Sequence, residues 1–310
     1  MKKIVIYSFL FIFLSLIIFL SYFSYFGIKT KNFNHIIKNT INKFDKNLNL
    51  EINYVQLNLN LIKLDIEAKT FSPKIIFHNT DVEIDSIKTH ISIKSFLTKE
   101  FVLKNLYISS KSTKIKTIVN LIKFISSSPQ IYIIQNKIKN GNLVADLKIN
   151  FDENGKIKDD YEVNGYVKDG QIDLLSENKL NKVDFLFKIK NNKYELEDIK
   201  FSLNELDFTS SKVFLTNKGT KTFVEGSLQN KILELNDDKI LSIKNLYPEV
   251  YKIKSIKFSS KNNFSFIINN KFKISELFLK SKIKLENLSF KNKKKGKYFF
   301  PEINNEIFLK

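Results

Sequence analysis

Side chains that could carry metal or acid–base chemistry are few in this chain and lie far apart. The three histidines are His35, His78 and His90, and no two of them stand at the spacing of a metal-binding pair. Cysteine does not occur, which excludes disulfides, thiolate catalysis and cysteine-based metal sites. We therefore expect each histidine to have a structural or surface role.

Adjacent carboxylates are the other candidates, because two neighbouring acids can act as a general acid and a general base. They include Asp152–Glu153, Asp159–Asp160 and Asp237–Asp238. The first two belong to predicted turns and the third to a predicted helix start, where acids interact favourably with the helix dipole. The chain contains no P-loop, glycine-rich dinucleotide motif, zinc-protease motif, nucleophile elbow or EF-hand loop. We predict that the protein is not an enzyme and uses neither a cofactor nor a metal.

The charge balance is strongly basic but does not indicate a nucleic-acid partner. All 51 basic residues are lysines, and against 32 acids they give a formal net charge of +19. Arginine is the preferred side chain for bidentate phosphate and base contacts, and this chain has none. The lysines are also spread along the chain, so we expect them on solvated strand faces and predict no nucleic-acid binding.

The N-terminal segment is the clearest structural signal. Ile4–Phe26 runs for 23 residues without a charge, enough for a helix to cross a hydrocarbon core of ~30 Å. A cleavable signal peptide needs small residues at its cleavage site, but the first alanine is Ala68. We predict an uncleaved transmembrane anchor over residues 1–28, with a short cytoplasmic tail and residues 27–310 on the other side.

Residues 29–48 are predicted to form an amphipathic helix just after the membrane. Their apolar positions follow the helical spacing and are Phe33, Ile36, Ile37, Ile41 and Phe44. Such a helix can cap the fold or lie on the bilayer, and the pattern leaves both open.

From about Leu50 the apolar period changes to two, the period of a half-buried strand. The alternation of Leu57, Leu59 and Leu61 continues from Ile62 in the opposite phase, which predicts a bulge or bend inside one strand. Residues 112–126 carry an apolar helical face, and residues 236–251 predict a second short helix.

Antiparallel hairpins and meanders are predicted over residues 130–230. Asn-Gly and Asp-Gly pairs are the strongest short hairpin signals, because type I′ turns need positive φ at both central residues. The predicted turns are Asn140–Gly141, Asn154–Gly155, Asn164–Gly165 and Asp169–Gly170.

We predict a mainly β fold with a few helices, in which a transmembrane helix precedes a long, curved antiparallel sheet. One face of this sheet is rich in Phe, Ile and Leu, and the other in Lys, Asp, Asn and Glu. The apolar face could line an open groove for acyl chains or be buried in a closed β-sandwich, and binary patterning does not separate the two. The candidate lipid-groove residues are Leu143, Leu147, Ile149, Val183, Phe185, Phe187, Ile189, Leu279 and Ile283.

Residues 66–124 resemble the N-terminal region of AsmA-like proteins, the repeating β-groove family that includes TamB and YhdP. The resemblance lies in the runs SPKIIF (72–77), VEIDSIKTHISIKSFL (82–97) and FVLKNLYIS (101–109), with a helix following. It covers residues 1–130 and, more loosely, residues 200–290. These motifs are degenerate hydrophobic patterns and include no catalytic residue.

The resemblance implies an inner-membrane protein of Gram-negative bacteria, with residues 49–310 forming a periplasmic AsmA-like β-rich region. It implies phospholipid transport or outer-membrane biogenesis, with outer-membrane or periplasmic proteins as possible partners. Family members are usually much longer, whereas about 16 strands at ~4.8 Å spacing give a groove of only ~80 Å. We therefore expect a C-terminally truncated sequence or a short member with partners. The alternative function is a membrane-tethered β-sandwich that serves as a scaffold without lipid transport.

Overall fold

The fold is described by a computed structural model. It describes residues 2–32, 34–35, 37–38, 48–77, 80–92, 103–125, 129–152, 156, 158–174, 178–236, 240, 253–271, 273–290 and 306–308. Over these ranges the helices are α1 (Lys2–Tyr25), α2 (Ile115–Ile125) and α3 (Pro129–Lys137). The strands are β1 (Ile28–Thr30), β2 (Leu48–Glu51), β3 (Val55–Asn60), β4 (Asp65–Phe71), β5 (Lys74–Phe77), β6 (Thr80–Ser92), β7 (Leu103–Ser110), β8 (Thr113–Lys114), β9 (Ile138–Asn150), β10 (Glu162–Asp173), β11 (Lys179–Lys190), β12 (Lys193–Leu203), β13 (Leu206–Lys218), β14 (Lys221–Leu235), β15 (Ile253–Asn269), β16 (Ile274–Phe290) and β17 (Glu306–Phe308).

The predicted fold class is confirmed: the chain is mainly β, and an apolar N-terminal helix precedes a long antiparallel sheet. The chain divides into two compact units. The first comprises residues 1–127 and 143–165, and the second residues 128–142 and 166–310.

Helix α1 closely matches the predicted anchor. Its segment Ile6–Tyr25 is long and apolar enough to cross a membrane and packs none of its length inside the protein. N-terminal signal sequences share these two properties, so the helix establishes only that a span is possible. Within the described residues it is the one helix of this kind.

The first unit is an antiparallel sheet whose strands are held in register by a small apolar core. Strand β3 pairs with β1 and β4, β4 with β6, β6 with β7, and β7 with β9. Strand β5 lies between β2 and the first residues of β6. Val55, Phe77, Val82 and Ile84 are buried where these strands meet, and the alternating apolar residues of each strand supply them.

The bend predicted between Leu61 and Ile62 is wrong, because these residues form a hairpin turn. Strand β3 ends at Asn60, residues 61–64 make the turn, and Asp65 pairs with Asn60 at the start of β4. The phase of the apolar pattern changes here because the chain reverses direction, so the two halves of the pattern belong to different strands.

Three helical predictions have different outcomes. Helix α2 confirms the helix predicted over 112–126, and α3 is an additional helix in a region predicted to be β. The predicted helix over 29–48 begins inside β1 and otherwise lies mostly outside the described residues, although residues 34–35 and 37–38 are helical. The helix predicted over 236–251 also lies largely outside them.

The second unit contains a meander from β11 to β16, in which each strand pairs antiparallel with the next one along the chain. Its tight turns are Asn191–Asn192, Asn204–Glu205 and Gly219–Thr220. The two residues of each of the first two turns have positive φ, the conformation of a type I′ turn.

The predicted Asn-Gly and Asp-Gly turns are in the wrong places. Asn140–Gly141 lies inside β9, while Asn164–Gly165 and Asp169–Gly170 lie inside β10. At Asp169, with φ 54°, the left-handed conformation makes an irregularity within the strand, and its N–H donates to Asp184 Oδ1 at 2.7 Å. Asn154–Gly155 lies outside the described residues.

Candidate functional site

An apolar row crosses the meander of the second unit from one strand to the next. Residues that pair directly across an antiparallel ladder point to the same face of the sheet. Five consecutive pairings, from β11 to β16, place one residue of each strand on this row. The apolar row consists of Phe187, Leu196, Val213, Gly226, Phe264 and Leu279.

A second row follows two residues away on the same face, because side chains repeat with a period of two along each strand. It consists of Ile189, Tyr194, Leu215, Val224 and Phe266. Phe185 also shares this face, and its ring centre lies 6.2 Å from that of Phe187 in an edge-on arrangement. The face is therefore apolar in two directions, along the strands and across them.

These side chains are not sealed in a core. All five side chains of the apolar row are half-buried, and of the second row only Val224 is fully buried. At the usual strand spacing the apolar row is ~24 Å long, which exceeds the ~15 Å spanned by the acyl chains of one leaflet. The face therefore offers accessible apolar surface on the scale of a lipid tail.

Gly226 makes the row close-packed in its middle. A Cβ at this position would lie 2.8 Å from Val213 Cγ2 and 3.2 Å from Phe264 Cζ. Since these contacts are shorter than van der Waals distance, only glycine lets Phe264 lean across β14 towards Val213.

The opposite face of the same strands, which we call the charged face, carries ion pairs beside three exposed apolar side chains, Leu186, Phe214 and Phe223. Lys212 Nζ lies 2.8 Å from Glu197 Oε1 and also contacts Glu195. The hydrogen bond from Lys212 lowers the pKa of Glu197, and the hydrogen bonds to Glu195 and Glu197 raise the pKa of Lys212. The side chains of Lys212 and Glu197 are 38% and 47% exposed, so these charged groups are open to water.

We expect Lys212→Met to return the pKa of Glu197 to the ordinary glutamate range. A carboxylate with a lowered pKa stabilises the fold above its unfolded pKa, and this contribution is lost as pH falls through the lower, folded pKa. NMR titration of the Glu197 carboxyl carbon measures the shift. Lys218→Met on the same strand is the control, and an unchanged Glu197 pKa in Lys212→Met would contradict the assignment.

The structure distributes the predicted groove residues over both units. Leu143, Leu147 and Ile149 lie on β9 in the first unit, and the other six lie in the second. Of these six, Phe187 and Leu279 form the two ends of the apolar row. The remaining residues, on strands β11 and β16, are Val183, Phe185, Ile189 and Ile283.

Sequence reasoning missed the middle of the row. Leu196, Val213 and Phe264 supply three of its five side chains and were not among the predicted residues. Their period-two neighbours Tyr194, Leu215 and Phe266 are also apolar, and this alternation is the signal that could have found them.

The sheet of the first unit also carries a row of paired residues on each of its two faces. One contains Ile28, Leu57, Ala68, Thr89, Leu106 and Ile149, so Ile149 is the end of an apolar-rich row in this unit. The adjacent residues form a row on the other face and are Lys29, Gln56, Lys69, Lys88, Tyr107 and Lys148. Here too an apolar face is opposite a lysine-rich one.

Among the described residues of the first unit, the most buried charged group is Asp65, which is 3% exposed. His90 Nδ1 lies 3.4 Å from Asp65 Oδ1, and Lys104 Nζ lies 3.8 Å from Asp65 Oδ2. Among the residues that the structure describes, no group of three or more His, Asp or Glu side chains is placed to hold a metal ion. These contacts satisfy a buried carboxylate and tie β4 to β6 and β7.

Taken together, the fold and the rows define a class: an antiparallel, mainly β protein with one apolar N-terminal helix and an accessible apolar sheet face. Comparison of the chain with protein-family models, curated proteins and solved structures finds no match.

Proposed function

We propose that this chain is a membrane-anchored AsmA-like protein that carries phospholipid acyl chains along an apolar sheet face, and that it is not an enzyme. In this proposal α1 crosses the inner membrane once, and the bulk of the chain lies in the periplasm. The protein would then serve phospholipid transport and outer-membrane biogenesis.

The observation that carries the proposal is the apolar row of six strands, half-exposed and backed by a charged face. Each Å² of apolar area that an acyl chain covers contributes about 25 cal/mol, so many half-exposed side chains bind a tail collectively. Such binding needs no directional polar contact, which suits a ligand that must move along the face.

Native mass spectrometry of the full chain tests the proposal. The protein is expressed in a Gram-negative host, extracted in mild detergent and examined for bound phospholipid, with lipid extraction of the same sample to identify the species. We expect phospholipid at a defined stoichiometry that survives detergent exchange. A control helical membrane protein of similar size, prepared in the same way, gives the background of adventitious lipid.

A folded, monodisperse protein with no lipid above that background would overturn the transport proposal. It would favour the tethered scaffold instead, in which the sheet face meets another protein surface.

A further inference from the structure

The turn between β3 and β4 exposes apolar side chains that a turn in water rarely carries. Its residues are Leu61, Ile62, Lys63 and Leu64, whereas turns usually use Gly, Pro, Asn, Asp or Ser. Ile62 is 96% exposed, Leu64 is 64% exposed and Leu61 is 43% exposed. We call these four residues the hairpin tip.

The tip has a defined shape. Asn60 Oδ1 accepts hydrogen bonds from the N–H groups of Ile62, at 3.1 Å, and Lys63, at 2.9 Å. Leu64 adopts a left-handed φ of 48°, which is uncommon for a residue other than glycine. The apolar side chains are therefore presented on a fixed turn that ends a paired hairpin.

The position of the tip follows from the way in which α1 joins the sheet. Strand β1 starts two residues after Phe26 and runs antiparallel to β3, with Ile28 opposite Leu57. Residues of β3 beyond Leu57 therefore run back towards the helix. Ser24 of α1 indeed lines the same pocket of about 670 Å³ as Leu59, Leu61 and Ile62.

The junction between the helix and β3 is tight. Gln56 Nε2 donates to the carbonyl oxygen of Phe26 at 3.1 Å. Gly27 has φ 67°, and a Cβ there would lie 2.6 Å from the carbonyl oxygen of Leu57. The tip is consequently held at the level of the last turns of α1, where Tyr22 and Tyr25 are exposed.

We propose that the hairpin tip inserts into the membrane leaflet in which α1 ends, as a second and shallow membrane contact. This inference rests on the proposed function, because it requires α1 to span the bilayer. Aromatic side chains such as Tyr22 and Tyr25 lie at the membrane interface, so a tip at their level meets headgroups and the first methylenes. Leu61, Ile62 and Leu64 are covered by lipid there, while Lys63 reaches the phosphates.

The chain has no cysteine, so single-cysteine labelling tests the insertion directly. Ile62→Cys, Leu16→Cys and Thr220→Cys are made in the full chain, labelled with an environment-sensitive fluorophore and reconstituted into vesicles of phosphatidylethanolamine and phosphatidylglycerol. Leu16 reports on α1, and Thr220, an exposed residue of the Gly219–Thr220 turn, is the control in the second unit.

We expect the labels at positions 16 and 62 to emit at shorter wavelength than the label at 220. Nitroxide near the headgroup should quench position 62 strongly, and nitroxide deep in the acyl chain should quench position 16. A water-like signal at 62 with a lipid signal at 16 would overturn the insertion and leave the anchor intact. A water-like signal at position 16 would overturn the anchor itself. Equal quenching of positions 62 and 220 by the headgroup nitroxide would overturn the insertion.

Discussion

Replacing Phe187 by aspartate should remove most of the phospholipid that co-purifies with the chain, whereas the same change at its neighbour Leu186 should not. The two residues are adjacent on β11 and point to opposite faces. Phe187 belongs to the apolar row, while Leu186 pairs with Glu197 on the charged face. An unpaired carboxylate against acyl chains costs at least ~2 kcal/mol, so we expect lipid affinity to fall about thirtyfold or more.

Native mass spectrometry of the two variants gives the lipid stoichiometry, and far-UV circular dichroism checks that both are folded. Val213→Asp and Phe214→Asp repeat the comparison on β13, where Val213 lies on the apolar row and Phe214 pairs with Glu225 on the charged face. Equal lipid loss from both members of each pair would show that the apolar row does not hold the lipid.

Replacing Gly27 by alanine should loosen the attachment of α1 to the sheet far more than the same change at Gly219. Both glycines have a left-handed φ, 67° at Gly27 and 62° at Gly219. A Cβ at Gly27 would strike the Leu57 carbonyl oxygen at 2.6 Å, while a Cβ at Gly219 meets nothing within 4 Å. Gly219→Ala therefore isolates the backbone term of ~1–2 kcal/mol, and Gly27→Ala adds the displacement of β3.

We expect Gly27→Ala to lower the free energy of local opening around β1 and β3 by about 3 kcal/mol, which makes amide exchange there roughly a hundredfold faster. Hydrogen exchange with mass spectrometry of the full chain, read on peptides that cover β1 and β3, measures this change. The control is amide exchange in the Gly219–Thr220 turn of Gly219→Ala. If Gly27→Ala speeds exchange in β1 and β3 no more than this, the junction accommodates a side chain.

Elements with a long, regular pattern could be predicted from sequence. Helices α1 and α2 could be predicted without tertiary information. The length of the uncharged run identifies α1, and the spacing of the apolar residues identifies α2. The turn at Leu61–Leu64 could not be predicted, since its residues are not turn formers. If it meets lipid, the usual preference for polar turns does not apply.

The apolar row could be predicted only in part, because a row across strands depends on register. Irregularities interrupt the alignment between Asn181 and Leu186 and between Thr209 and Val213. Each bulge shifts all later pairings along the strand. Phe187 and Leu279 could therefore be predicted to lie on the apolar face, but not to share a row. Gly141, with φ 127°, and Asp169, with φ 54°, failed as turn markers because residues that tolerate positive φ also suit irregularities inside strands.

The meander of the second unit has a further consequence for how such a protein is made. Among the described strands, each one from β12 to β15 pairs with its predecessor and its successor in the chain, so every pairing of the meander joins strands that are consecutive in sequence. Topologies of this kind can grow hairpin by hairpin, without waiting for a distant segment to arrive. A chain that folds from its N-terminal end can therefore assemble this sheet progressively, with each new strand using the last one as its template.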